Sequence, residues 1–348
     1  MKRTLILLST LLGAACAPTL PRYQPLVMAE LGEKLGGCDV GDLVPGGGDE
    51  VAVVSVSGAL RVLEANGDAW SVIDAGRASG EMIQVAVGDV WPERGGDELI
   101  AVGMLAGDEE SGGEGAVVVS GFDESTGDFS ARPVFTDSAL VHAVAVCDLD
   151  PAVEGDEALV GGFSDALTLL RFHGDGQVTS EEIGRTPAAA KGMVPHGDGV
   201  AVACRDGSLL VVRPSDEGFV TEVLFRAPSG LARLASSGEE ILAASDDGTL
   251  WLVQRREGTR LFRDSLKLRG AVFTDLDSAS PGLEVATAGY SGRVSLLHEN
   301  AGEWTAETVI ATEAALHHLT SGELDRAAGQ ELVTVGFAGD VVLLRRAR

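Results

Sequence analysis

The chain has 348 residues, 45% of them hydrophobic and 23% charged, a globular composition that excludes a disordered or fibrous polymer. Its 46 glycines set against 5% aromatic residues call for many tight turns, and so for many short strands. A formal net charge of −27 repels phosphate backbones and anionic headgroups, which excludes nucleic-acid binding by general electrostatics.

The N-terminus comes first. Lys2 and Arg3 precede a short apolar run through Leu12, and Gly13, Ala14 and Ala15 then lead to Cys16. The run is too short to span a bilayer and has the layout of a secretory signal. With a cysteine directly after small residues, it resembles a bacterial lipoprotein signal, although Gly13 stands where that pattern carries Leu. The resemblance implies removal of residues 1–15, a lipid on Cys16 as the only membrane contact, a linker over 16–25, and a place at the cell envelope. The other reading is simple cleavage after Ala15, giving a soluble exported protein. Cys38, Cys147 and Cys204 each lie in an apolar run, and their spacing fits no metal motif, so they read as small buried hydrophobes.

From residue 26 to 348 the chain repeats itself about seven times. The unit is an apolar strand, an Asp-Leu turn, a Gly/Pro-rich loop, Asp-Glu, a second apolar strand, a small-residue turn with Gly, a third strand and a polar fourth. Clear copies begin at Val40-Gly41-Asp42-Leu43, Val87-Gly88-Asp89-Val90, Val146-Cys147-Asp148-Leu149, Thr274-Asp275-Leu276-Asp277 and Gly322-Glu323-Leu324-Asp325. Two copies are worn, around Val200–Leu209 and Glu240–Leu250. Glu50, Glu98, Glu157, Glu240, Glu284 and Glu331 mark the period. Runs such as Val51–Val54 are short and bounded by turn residues, as buried strands are. A single four-stranded unit cannot bury both its faces, whereas a ring of such units can. The expected fold is therefore an all-β, seven-bladed β-propeller with four-stranded antiparallel blades. The seventh copy ends after its third strand, and a spare strand-like segment, Leu26–Leu31, precedes the first. That segment is expected to complete the last blade beside Val341–Arg345 and so remove an edge.

The copies resemble FG-GAP and VCBS-type propeller repeats, which often carry an Asp-x-Asp-x-Asp-Gly calcium loop. Here that loop is eroded. Asp148 with Asp150, and Asp275 with Asp277, keep two carboxylates each, and Asp156 adds another to the first. The resemblance implies at most weak calcium binding there, since calcium takes six to eight oxygens. Otherwise these residues cap turns.

Propellers bind ligands where their innermost strands begin. Counting back from the Asp-Leu turn aligns His142, Arg269 and His317, with Lys191 near the same place and His318 adjoining. The few basic groups of an acidic protein thus gather at one channel rim, suited to a carboxylate or phosphate. The expectation is a monomeric binding or scaffolding propeller, engaging a protein or a small anionic ligand through one face, with no cofactor besides the weak calcium. A hydrolase or lyase using the His/Lys/Arg cluster is the alternative from another class. No nucleophile elbow, metalloprotease helix or phosphate-binding loop is present. The insertion Gly107–Gly115 reads as an exposed acidic loop.

Overall fold

The computed structural model describes residues 22–67, 69–106, 113–174, 176–277, 282–300, 302–325 and 328–347. The signal-like segment, Cys16 and most of the acidic insertion lie outside these residues. The described chain forms seven sheets, each of four strands in antiparallel order. The seven inner strands are Leu35–Gly41, Glu81–Gly88, Val141–Cys147, Ala190–His196, Leu231–Ser237, Leu268–Thr274 and Leu316–Gly322. Each touches the next, and the seventh touches the first, so the sheets stand as blades around a central channel. The expected seven-bladed propeller is the observed fold.

Closure follows the expected route. The strand Tyr23–Glu30, starting three residues earlier than expected, is the outermost strand of blade 7 and pairs with Asp340–Arg346, placing Leu26 opposite Leu343. A carboxylate from a neighbouring blade ties this seam. Asp277, 3% exposed and just past the inner strand of blade 6, is ion-paired with Arg22 and with Arg346, the latter at 2.5 Å. Arg22 precedes the first residue of one strand and Arg346 ends the other, at the same end of the antiparallel pair, so one buried acid holds both.

Seven apolar clusters fill the ring among the described residues, one between each pair of adjacent blades. Burial on both faces explains why the second strands read as continuous apolar runs. Val51, Ala52, Val53 and Val54 are each 1% exposed or less. Fully burying each valine stabilises by about 1.5–3 kcal/mol. The fourth strands, such as Gly218–Arg226, form the outer rim and are mostly exposed. Between second and third strands, Gly58, Gly207, Gly248, Gly292 and Gly339 take positive φ, and a Cβ on Gly58 would lie 2.4 Å from the Gly80 carbonyl oxygen. In blade 3 the place is held by Asp165 at φ +62.

The glutamate period has a physical cause. In five blades a loop of eight or nine residues joins the inner strand to the second. Its apolar residue, Leu43, Val90, Leu149, Leu276 or Leu324, is buried, so the neighbouring backbone N–H groups leave water and need an acceptor. The glutamate that opens the second strand supplies it. Glu50 Oε2 accepts from Leu43 and Val44 N–H, both at 2.9 Å. Glu157 Oε2 accepts from Leu149 at 2.8 Å and Asp150 at 2.9 Å. Glu331 does the same for Leu324 and Asp325, Glu284 for Leu276 and Asp277, and Glu98 for Trp91. Burial pushes Glu98 up to about 8 and Glu50 up to about 7, against the backbone donors that favour the charged form.

In blades 1, 2, 3 and 7 the residue before the glutamate staples the loop to the preceding blade. Asp97 N–H donates to the Asp42 carbonyl at 2.6 Å while its carboxylate accepts from Asp42 N–H at 3.0 Å. Gln330 makes the same pair of bonds to Asp275, and Asp156 N–H donates to the Asp89 carbonyl. Glu240 departs from the expected equivalence. It opens the second strand of blade 5, but a two-residue hairpin through Gly238 replaces the loop. With no buried N–H groups to hold, its carboxylate accepts from the Gln254 amide instead.

Candidate functional site

Each inner strand carries one extra residue near its start, where its register against the second strand shifts. The extra residues are Gly36, Ile83, His142, Lys191, Ala232, Arg269 and His317. The four basic residues expected at the rim thus occupy one structural position in blades 3, 4, 6 and 7. A bulge leaves a residue unpaired and re-aims its side chain, which turns each of these toward a neighbouring blade.

His142 Nδ1 donates to the Lys191 carbonyl at 3.1 Å, since a carbonyl only accepts. That leaves Nε2 of the neutral ring as the acceptor for Lys191 Nζ, 2.8 Å away. The ammonium also lies 5.2 Å from the Phe163 ring centroid. Two blades on, Arg269 donates to Asp246 at 2.7 Å and lies over the Tyr290 ring, against which His317 stacks. His317 Nδ1 donates to the Gly36 carbonyl at 2.6 Å. His318 points elsewhere. It is half-buried, with Nδ1 3.7 Å from Cys38 Sγ, and it borders the channel.

Between the two groups stands a residue that sequence reasoning missed. Arg233, one place past the bulge of blade 5, is 3% exposed. Its Nη1 donates to the Lys191 carbonyl at 2.7 Å and the Ala232 carbonyl at 3.0 Å. Its Nε and Nη2 meet no hydrogen-bond acceptor among the described residues, and no carboxylate lies within ion-pair distance of the guanidinium. Below the mouth the channel opens to about 320 Å³, lined by Arg233, Gln84, His318 and Asp39 among others. Gln84 Oε1 is likewise buried without a partner. Asp39 accepts from Val87 N–H and the Thr320 hydroxyl, and burial pushes it up to about 6.

The electrostatics of the mouth follow from burial beside like charge. Desolvation first, then Arg233 and Arg269, push Lys191 down to about 8. Burial, then Arg269, pushes Arg233 down to about 9. Burial holds His142 and His318 well below the usual imidazole range and His317 at about 3. The mouth therefore presents neutral imidazoles around uncompensated cations, which suits an incoming anion. Cys38, whose thiol burial pushes well up, is unreactive.

The residues of the eroded calcium loops lie at the opposite end of the inner strands. Asp150 is paired with Arg171 at 2.9 Å and Asp277 with Arg22 and Arg346, Asp148 is exposed, and Asp156 and Asp275 take part in the backbone staples. Among the described residues no three His, Cys, Asp or Glu side chains gather as a metal cluster.

No protein-family model matches the chain, and no curated protein matches it in sequence. Among solved structures it is similar to the WD40 beta propeller domain of Doa1, at 11% identity and a TM-score of 0.67, over 94% of this chain and 97% of that one. At that identity the likeness is one of fold, and it extends around the whole ring.

Proposed function

We propose that this protein is a binding propeller whose basic mouth receives a small carboxylate. The observation that carries this reading is Arg233, a buried guanidinium with two donor groups that have no partner, and no acid beside it, among the described residues. A buried charge of that kind is costly unless something pairs with it. Lys191 and the Arg269–Asp246 pair surround it, and the channel beneath has room for a small molecule. The test is calorimetric titration of the protein with pyruvate and with succinate, against an Arg233→Gln variant. The reading expects binding that weakens with salt and falls at least about tenfold in the variant, the loss of one charge-assisted pair. Equal affinity in both proteins, or none in either, overturns it.

The envelope location and the lipid on Cys16 belong to the same proposal, supported by the layout of residues 2–16. Under it the mouth meets its ligand outside the cytoplasm. Palmitate labelling that disappears in Cys16→Ser is the expected result.

A further inference from the structure

The mouth holds an amine as well as an anion site. Lys191 Nζ has no carboxylate within ion-pair distance among the described residues, which is uncommon for a half-buried ammonium in a chain with 53 acidic residues. Its one polar neighbour is His142 Nε2 at 2.8 Å, an acceptor whose tautomer is locked by Nδ1 donating to the Lys191 carbonyl. The amine lies 5.2 Å from the centroid of Phe163, a rim residue 39% exposed, and Lys191 itself is half-buried. The charged groups facing it are Arg233, Arg269 and Arg205, with Asp246 already engaged by Arg269. Burial and the cations nearby favour the neutral amine, and His142, by taking one N–H, aims its lone pair away from the imidazole. Desolvation beside other cations is how an amine becomes a nucleophile.

We propose that Lys191 captures the carbonyl carbon of a small 2-oxo acid as an imine, the carboxylate being held by the surrounding guanidinium groups. Nζ attacks the carbonyl carbon, a C–N bond forms, and one Nζ proton passes to the carbonyl oxygen to give a carbinolamine. The hydroxyl then leaves with the second Nζ proton as water, and the C=N bond replaces the C–OH bond. No oxidant or reductant is needed, and hydrolysis reverses the step. His142 positions the amine and does not itself touch the carbonyl.

This inference rests on the carboxylate reading of the mouth, so the experiment separates the two. The full chain is incubated at pH 8 with pyruvate or, in parallel, with acetaldehyde, each with cyanoborohydride to trap imines, and adducts are mapped by mass. Lys34, above Phe337, and Lys267, near Asp246, are internal comparators. The expected result is an adduct on Lys191 at least about tenfold faster than on either comparator, with pyruvate ahead of acetaldehyde. Fast labelling of Lys191 by both reagents alike keeps the reactive amine and removes the carboxylate site. Pyruvate binding seen by calorimetry without an adduct on Lys191 keeps the anion site and overturns this proposal. Labelling of all three lysines at one rate overturns it as well. Lys191→Arg, whose folding is checked by its melting temperature, should abolish the fast adduct.

Discussion

Blades 1, 2, 3, 6 and 7 leave their inner strand through eight or nine residues, whereas blades 4 and 5 turn back in two. In the first group a glutamate is buried and clipped to the loop backbone. In the second there is Gly199, or a Glu240 that faces outward. The difference teaches that the acid belongs to the loop and not to the blade. A hairpin satisfies its own N–H groups within the ladder. A long loop folded over the end of a ring buries N–H groups that no strand can reach, and a carboxylate is the compact acceptor that serves two at once. The staples obey the same division. They join blades 7 to 1, 1 to 2, 2 to 3 and 6 to 7, where two long loops are neighbours. At blade 6 the residue before the glutamate is Leu283, half exposed beside a blade that has no loop to hold.

The largest test of this contrast replaces the acid by an apolar residue of similar size. Glu157→Leu leaves two buried N–H groups unpaired and should destabilise by about 2–4 kcal/mol. Glu240→Leu should change stability by less than about 0.5 kcal/mol. Urea unfolding midpoints decide the matter, and similar losses in both variants would refute the division.

Much of this was legible in the sequence for a mechanical reason. A buried strand reads as an apolar run and a loop clip recurs at a constant offset, so the period, the blade count and the closing strand follow from residues alone. Counting back from the Asp-Leu turn likewise found the bulge carrying His142, Arg269 and His317. The method fails where the ruler is missing. Blade 5 has no such turn, so nothing pointed to Arg233, which looks like an ordinary charged residue between Ala232 and Leu234. Gln84 and Asp39 are hidden in the same way, since a channel-facing polar residue interrupts a strand pattern no differently from a solvent-facing one.

A smaller effect is expected from pH. Glu98 and Glu50 titrate at about 8 and about 7 in the folded chain, above their unfolded range. The folded state therefore holds more protons than the unfolded state, and this part of the stability is complete at low pH and lost as pH rises through those values. His142, His317 and His318 act oppositely, because their depressed values favour the unfolded state as pH falls below about 6.5. The melting temperature should peak between about pH 5.5 and 6.5 and drop by about 2–4 °C toward pH 8. Glu98→Gln should flatten the upper limb. A melting temperature that climbs from pH 6 to 8 would contradict the assignment.

The smallest expected effect concerns the hairpin turns. Blade 3 puts Asp165 at a positive φ where five other blades use glycine. Asp165→Gly should stabilise by up to about 1 kcal/mol by relieving that conformation, offset in part by the added freedom of the unfolded chain. Calorimetry resolves the shift, and a loss of stability would mean that the aspartate side chain holds the turn.

The seam at Asp277 fixes how the molecule can be held. Arg22 sits at the end of the ring where the clipped loops lie, and the basic mouth is at the other end. The strand Tyr23–Glu30 runs from the first end toward the second. A pull on the N-terminal side acts along that strand, so it loads its hydrogen bonds in shear and meets the Asp277 ion pairs first. Under the anchor proposed at Cys16, the tether would enter the ring at the clipped-loop end, opposite the basic mouth.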